Sequence, residues 1–167
     1  MTNQGKLSRT PRPLTGADRR ILRILQTEGR ISNVDLAARV GMAPSPCLRR
    51  VKALEADGVI KGYAAQLSRR RAGFGVLAFV QVNLTRQADG LAERFEEAVM
   101  DLEEVTECHA LTGDHDFLLR VVARDLDDLA DSILKRLLRL PGVQDVRSSI
   151  VLDVVKDAPP VPVRLIG

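Results

Sequence analysis

The sequence has no tryptophan, one tyrosine and four phenylalanines among its 167 residues. Since hydrophobic residues still make up 45% of the chain, its cores must be built from Leu, Val, Ile and Ala. No apolar run reaches the roughly 18 residues that a membrane-spanning helix needs. The N-terminus also lacks the apolar stretch of a secretory signal. We therefore expect no membrane partner.

Cysteine is scarce, and its two copies, Cys47 and Cys108, lie far apart without CxxC spacing. This pattern does not favour a disulfide framework or a zinc site and fits a reducing compartment. We interpret Cys47 as a small buried hydrophobe rather than a redox sensor. No nucleophile, base and orienting residue occur in a recognisable set, so we predict no catalytic residues, no metal and no enzymatic activity.

Charge is divided unevenly along the chain. Residues 1–71 hold 15 Lys and Arg against 5 Asp and Glu, a net charge of +10. Residues 72–167 hold 10 against 17, a net charge of −7, so the total of +3 hides two opposite halves. A basic half of this kind is typical of a module that binds phosphate. We predict a basic tail at 1–13, a DNA-binding domain at 14–71 and a separate domain at 72–167.

The basic half shows the start and stop signals of three helices. Thr15 and Ser32 are predicted N-caps, and Pro44 suits the first turn of the third helix. The first helix is expected to end at Glu28–Gly29, and Gly41 allows a tight turn between the second and third. Three helices with such a turn form a helix-turn-helix, and the tail adds phosphate contacts or is inert.

Helical spacing divides the third helix into two faces. Four residues are predicted to pack on the other helices: Cys47, Leu48, Val51 and Leu54. The opposite face is either a solvated surface or a major-groove reader, and the Gly turn, the proline start and the charge favour the reader. Arg49 is the expected base contact. The residues assigned to the DNA surface are Ser32, Asn33, Pro44, Ser45, Pro46, Arg49, Arg50 and Lys52.

A short strand-like segment, Val59–Leu67, follows the third helix and is predicted to form a wing or a linking strand. The arginines at 69–71 then interrupt the pattern near the expected domain boundary. They contact the DNA backbone or form a solvated hinge, and the sequence does not decide between the two.

The acidic half alternates strand and helix patterns in the order βαββαβ, a ferredoxin-like arrangement of an antiparallel sheet with two helices on one face. With the helix-turn-helix, the fold class is α+β. The predicted strands are Val76–Leu84, Val105–Thr112, Asp116–Val122 and Val143–Val155. The predicted helices are one introduced by Asp89–Gly90 and carrying Leu91 to Leu102, and one over Leu126–Leu140.

The second face of this sheet needs a cover. The alternation assigns to it Leu77, Phe79, Leu119, Val121 and Val151. That is too much apolar surface to leave in water, so a second copy of the chain is the expected cover, and the protein is expected to be a homodimer. The alternative is a mostly polar face with scattered hydrophobes.

A turn-forming segment, Glu107 to Asp116, contains both histidines of the chain and three acids. It lacks the spacing of a metal or acid–base site. A glycine-containing turn can offer backbone N–H groups to a carboxylate, while Asp114 or Asp116 meets an ammonium group. From the residues alone, an amino-acid site and an ordinary β-turn remain open.

Three stretches of the chain, Ile31–Ala37, Pro46–Tyr63 and Glu107–Leu119, together with the Leu140–Val143 motif, resemble the Lrp/AsnC family of bacterial and archaeal regulators. The resemblance implies a winged helix-turn-helix, a ferredoxin-like effector domain, a homodimer that assembles to tetramers or octamers, and a small amino acid bound between dimers. Its effector site corresponds to Leu111, Thr112, Gly113, Asp114, His115 and Asp116, to which we add Ser148 and Ser149.

Two positions depart from the family pattern. Ala43 stands where a serine cap is common. The absence of the serine hydroxyl weakens the start of the third helix by about 1 kcal/mol. His115 replaces a common aromatic residue, which leaves the effector's identity open. We expect a cytoplasmic regulator, located at the nucleoid, that binds double-stranded DNA sequence-specifically. Its expected effector is an apolar amino acid such as leucine, and we expect no other cofactor. The alternatives are an architectural DNA-binding protein and a small enzyme with a DNA-binding head.

Overall fold

The computed structural model describes residues 13–85, 90–157 and 161–163. They form two compact units: the first joins the described residues up to Ala65 to those from Lys156 onward, and the second runs from Gln66 to Val155. The predicted tail, apart from Pro13, and the predicted helix start at Asp89 lie outside the described residues.

The described elements are α1 (Gly16–Leu25), α2 (Asn33–Val40), α3 (Pro44–Ala56), β1 (Val76–Leu84), α4 (Leu91–Val99), β2 (Val105–Ala110), β3 (Phe117–Ala123), α5 (Asp128–Leu134), α6 (Lys135–Leu137) and β4 (Val143–Ile150).

The first helix begins where the sequence predicts. The hydroxyl of Thr15 accepts from the N–H of Asp18 at 3.2 Å, and the Asp18 carboxylate accepts the Thr15 N–H at 2.9 Å. This reciprocal capping box satisfies two of the four N–H groups that every helix start leaves free. The helix ends at Leu25, before the predicted Glu28–Gly29, because Thr27 donates both its N–H and its hydroxyl to the Ile24 carbonyl at 3.0 Å.

The turn between α2 and α3 also follows the sequence. Ser32 caps α2, accepting from the N–H of Asp35 at 3.1 Å, and Gly41 ends α2 in the left-handed region with φ of +70°. Glycine adopts this conformation without steric cost. The third helix begins at Pro44, and Ala43 before it makes no side-chain cap, as its missing hydroxyl implies.

The core of the first unit joins the three helices to the far end of the chain. Its buried members are Ile21, Leu22, Leu36, Ala37, Val40, Cys47, Val51, Leu54 and Val163. Val163 is 7% exposed, and the carbonyl of nearby Val161 accepts from the Gln26 side-chain amide at 3.2 Å. The sequence alone assigned this C-terminal segment to the second domain. It completes the core of the first unit, which is called the head below.

The predicted burial of Leu48 is wrong. The apolar stripe of α3 consists of Cys47, Val51 and Leu54, which are buried, whereas Leu48 is 41% exposed. Each residue turns a helix by about 100°, so Leu48 stands on the flank of this narrow stripe. Two short partner helices cover only the stripe itself.

The predicted strand Val59–Leu67 is also absent. None of its residues is in a strand, and Lys61 to Leu67 are exposed. Alternating apolar residues form a strand only where a neighbouring strand pairs their backbone groups, and no such neighbour lies beside this segment in the described chain.

The second unit has the predicted ferredoxin-like fold. Its antiparallel sheet has the strand order β2-β3-β1-β4, with β1 paired to both β3 and β4. The last strand ends at Ile150, earlier than the predicted Val155. Its final pairing is the Val151 N–H with the Leu77 carbonyl at 2.8 Å, because β1 itself begins only at Val76.

The expected division of apolar residues between the sheet faces is partly wrong. Leu119 and Val121 are fully buried under the helices, together with Val80 and Val82, since β3 pairs Leu119 with Val80. On the other face, Phe79 is 39% exposed between two polar neighbours on the adjacent strands. This face is therefore mixed rather than continuously apolar. An error in where a strand begins does not alter which face each side chain occupies. An error of one residue in the inward–outward alternation, however, moves every side chain of that strand to the opposite face.

The predicted helix Leu126–Leu140 forms as the π-helical α5 followed directly by α6. Leu129, Ile133 and Leu137 are buried at intervals of four residues, whereas Leu126 is 56% exposed. The wider turn of a π-helix keeps residues four apart on one face, so this spacing suits the observed form.

We predict that Val163→Ala destabilises the DNA-binding head by about 1–2 kcal/mol, because it removes two buried methyl groups at about 0.8 kcal/mol each. Val161→Ala is the matched control, since Val161 is 63% exposed and only its backbone carbonyl is bonded. Chemical denaturation of both variants measures the difference. Equal stability of the two variants would show that the C-terminal segment does not support the head.

Candidate functional sites

The exposed face of α3 carries the residues that the sequence assigned to a nucleic-acid surface. Ser45, Arg49 and Lys52 are exposed on the side opposite the buried stripe. Neither Arg49 nor Lys52 has an ion-pair partner among residues 13–85, 90–157 and 161–163. Their charges are therefore free to meet an external anion. Pro44 is exposed at the start of the helix, and Pro46 is half-buried beside it.

Three residues of the predicted surface have partners inside the head. The Ser32 hydroxyl donates to the Asp35 carboxylate at 2.6 Å while it caps α2. The Asn33 amide donates to the Pro44 carbonyl at 3.0 Å and so ties the first residue of α2 to the first residue of α3. The Asn33 Oδ1 atom is buried and has no partner in the described structure.

Arg50 is the third of these residues and points inward. Its Nη1 lies 3.1 Å from the Thr15 hydroxyl and 3.1 Å from Oδ1 of Asp18. The Asp18 side chain is fully buried, whereas that of Arg50 is 37% exposed. The structure thus separates two neighbouring arginines that the sequence treated alike: Arg49 faces solvent and Arg50 neutralises a buried carboxylate.

The predicted effector residues form the turn between β2 and β3. The Leu111 N–H donates to the Asp116 carbonyl at 2.8 Å, which closes the turn. Asp116 anchors it to β1: its N–H donates to the Val82 carbonyl at 3.1 Å, and its carboxylate accepts the Leu84 N–H at 2.7 Å. One of the two candidate acids is therefore occupied by the sheet, while Asp114 remains exposed.

The backbone of this turn is open at its tip. The N–H groups of residues 112–115 have no acceptor within the described residues. Gly113 has φ of +119°, and a Cβ there would meet nothing within 4 Å. The positive φ is therefore what favours glycine at this position, because a side chain would meet no steric obstacle in the single chain. Successive free N–H groups of this kind can bind an anion such as a carboxylate.

His115 is held by a side-chain network that crosses β1. Its Nδ1 lies 3.2 Å from Oδ1 of Asn83, and the Asn83 amide nitrogen lies 3.2 Å from the Asp145 carboxylate on β4. Because that nitrogen donates to Asp145, the Asn83 oxygen accepts from His115, and Nδ1 must carry a proton. Neutral His115 then keeps its Nε2 lone pair for another partner.

Asn83 and Asp145 were not predicted from the sequence. Asn83 is a polar residue of the largely apolar β1, which was the available signal, whereas Asp145 stands among several other polar residues of β4. Their pairing depends on the register of β1 against β4, which pattern alone does not give.

The structure does not bring Ser148 and Ser149 to this turn within one chain. Ser148 pairs with Val80 and Ser149 with Phe79 in the middle of β1, whereas the turn contacts β1 near its end. As neighbours on a strand, the two serines also point to opposite faces of the sheet. Within one chain the two serines therefore lie apart from the turn, and their part in an effector site stays a prediction.

Cys47 fits the predicted structural role. It is fully buried in the head, and burial raises the pKa of its thiol above the ordinary value. In the described ranges, no three His, Cys, Asp or Glu side chains are arranged to hold a metal ion. Those same ranges contain no helix with the length and apolar character to cross a membrane.

Comparison with known proteins gives matches over both units. The model of the Lrp/AsnC ligand binding domain matches residues 77–161, and that of a winged helix-turn-helix DNA-binding domain matches residues 14–61. The leucine-responsive regulatory protein of Klebsiella pneumoniae is 44% identical over 150 residues, which cover 90% of this chain and 92% of that protein.

Solved structures show the same relationship. A transcriptional regulator from Neisseria meningitidis in complex with L-methionine is similar with a TM-score of 0.85 and 42% identity, covering 89% of this chain and 96% of that one. An AsnC family transcriptional regulator from Agrobacterium tumefaciens also gives a TM-score of 0.85, at 34% identity over 90% of this chain and 98% of that one.

Proposed function

Because this chain belongs to the Lrp/AsnC family and is an amino-acid-sensing, DNA-binding transcription regulator, we propose that its α3 reads bases in the major groove of double-stranded DNA. The observation that carries this proposal is the exposed guanidinium of Arg49, which lies on the face opposite the buried stripe and has no ion-pair partner among the described residues. A guanidinium can donate two hydrogen bonds to O6 and N7 of guanine.

The other residues of this surface have supporting roles in the proposal. Ser45 and Lys52 lie on the same face as Arg49 and contact phosphates. Four further members, Ser32, Asn33, Pro44 and Pro46, shape the start of α2 and α3 beside the groove, and Arg50 is considered below. The net charge of +10 over residues 1–71 draws the head to DNA without regard to sequence.

We further propose that the turn at residues 111–116 binds a small apolar amino acid, such as leucine or methionine. The free N–H groups of residues 112–115 receive its carboxylate, and Asp114 with Nε2 of His115 receives its ammonium. The L-methionine complex of the Neisseria regulator supports an amino acid as the effector class.

Assembly into homodimers, and further to tetramers or octamers, is part of the proposal. The single chain exposes apolar residues at the end of the sheet, with Leu152 91% and Val155 94% exposed, and a second copy would cover them. Ser148 and Ser149 would then reach the effector only from a neighbouring copy. We propose no enzymatic activity and no cofactor beyond the effector, with action on the nucleoid in the cytoplasm.

Arg49→Ala is predicted to weaken binding to the cognate site by about 1–3 kcal/mol and to relax specificity at one base pair, because it removes a base contact. The measurement is the affinity of the full chain for an operator, obtained by in vitro selection with the wild type, and for a random duplex. Arg39→Ala is the matched control, since Arg39 lies on α2 and pairs with Glu28 at 2.7 Å. If Arg49→Ala leaves both affinities unchanged, α3 does not read the groove through this residue.

The effector proposal predicts heat on calorimetric titration with at least one of leucine, alanine, methionine and phenylalanine. Asp114→Ala should weaken that binding roughly tenfold or more, because a hydrogen bond to a charged group contributes about 1.5–3 kcal/mol. Asp101→Ala, which removes another exposed acid of the same unit, should bind as the wild type does. Absence of heat with every amino acid, at unchanged oligomer size, would leave a constitutive DNA-binding protein.

A further inference from the structure

A hydrogen-bond network ties the middle of α3 to the first turn of α1. Oδ2 of Asp18 accepts the Thr15 N–H at 2.9 Å and the Thr15 hydroxyl at 2.8 Å. Oδ1 of the same carboxylate accepts from Nη1 of Arg50 at 3.1 Å, and that nitrogen also lies 3.1 Å from the Thr15 hydroxyl oxygen. Three residues from two helices therefore share one buried charge.

The burial of Asp18 makes this network demanding. Its side chain has no exposed surface, and it shares the buried face of α1 with Ile21 and Leu22. A buried carboxylate is tolerated only when cations and hydrogen-bond donors compensate it, and Arg50 supplies one such group from α3. This contact holds Arg50 toward the interior of the head.

This contact supplies what the apolar core of α3 lacks. The packing of Cys47, Val51 and Leu54 is non-directional and tolerates small rotations of the helix about its axis. An ion pair with defined donor and acceptor atoms does not tolerate such rotations, because they would separate the two groups. Because Arg49 precedes Arg50, the direction in which Arg49 leaves the helix is set by how Arg50 is held.

We propose that Arg50 is a positioning residue and not a DNA contact: its bond to Asp18 sets the rotation of α3 that aims Arg49 at the base edges. This revises the expectation from the sequence, in which both arginines contacted DNA. The proposal rests on the reading of the groove by α3, and it assigns to Asp18, a buried residue of α1, a role in sequence specificity.

The two roles of Arg50 predict opposite effects for Asp18→Asn. If Arg50 contacts DNA, removing the buried charge releases its guanidinium, and DNA affinity is unchanged or higher. If Arg50 positions α3, Asp18→Asn misplaces Arg49 and lowers specificity as much as Arg50→Met does.

The experiment compares Asp18→Asn, Arg50→Met, the double variant and Arg49→Ala in the full chain. Arg39→Met is the control, because it removes an arginine from an exposed ion pair of the same head. Affinities for the selected operator and for a random duplex are measured over a range of salt concentrations, at a temperature where each variant is fully folded by circular dichroism. Arg50→Lys, which keeps the charge, replaces Arg50→Met if that variant does not fold.

We expect each single variant to lower the ratio of operator to random affinity about tenfold, the loss typical of one base contact. The double variant should lose no more than either single one, since both break the same bond. Affinity for the random duplex and its salt dependence should stay at the wild-type values, because no phosphate contact is lost. Arg39→Met should keep the wild-type ratio.

Three results would overturn the inference. Arg50 would be a phosphate contact if Arg50→Met lowered the slope of log affinity against log salt concentration by about one while Asp18→Asn kept the wild-type affinities. Loss of thermal stability alone, with both affinities unchanged, would make the network merely structural. If Arg49→Ala leaves the ratio of operator to random affinity unchanged, both the proposed reader and this inference are wrong. If Arg49→Ala lowers that ratio and Asp18→Asn does not, only this inference is wrong.

Discussion

The buried charge of Asp18, on the face of α1 that also buries Ile21 and Leu22, is the constraint on which the head depends. The carboxylate needs donors, and it finds them at the start of α1 and in the middle of α3. Helix capping and helix packing are therefore one interaction here, because Thr15 both starts α1 and binds the carboxylate that holds Arg50. A hydrophobic core alone would hold α3 against its neighbours without fixing its rotation, and a groove-reading helix requires that rotation to be defined.

The second unit meets a different requirement, which is to present an irregular turn on a rigid base. Its core is aliphatic apart from one aromatic pair, Phe95 and Phe117, with ring centroids 4.7 Å apart. Phe117 begins β3 directly after the turn, so the turn ends at a buried residue of the sheet. Asp116 adds two bonds to β1, and the N–H groups at the tip of the turn have no acceptor in the described part of the chain. A rigid turn with free donors suits an anion site, because little conformational entropy is lost when the ligand binds.

Local signals predicted the elements well, and contacts distant in sequence were where prediction failed. The caps at Thr15 and Ser32 and the stop at Gly41 are decided within four residues, so the sequence reveals them. The burial of Val163 in the head and the solvent exposure of Leu48 depend on which surfaces meet, which periodicity does not show. The candidate sites divide in the same way: the surface of α3 and the turn at 111–116 could be proposed from local sequence, but the inward contact of Arg50 could not be foreseen. Charge and helical position alone made Arg50 equivalent to Arg49.

Signal transfer from the turn to DNA requires more than a binding site. A ligand shifts an equilibrium only as far as it binds one state more tightly than the other, so an effector at residues 111–116 must discriminate between arrangements of the protein. The turn cannot absorb a ligand by local rearrangement alone, because Asp116 fixes it to β1 and the Asn83–Asp145 pair links His115 to the edge strand β4. Edge strands with exposed apolar ends are where copies of a chain meet. In the proposed assembly, a ligand that moves His115 would act on β4 and through β4 on the contacts between copies, so oligomer size is the first property that we expect an effector to change.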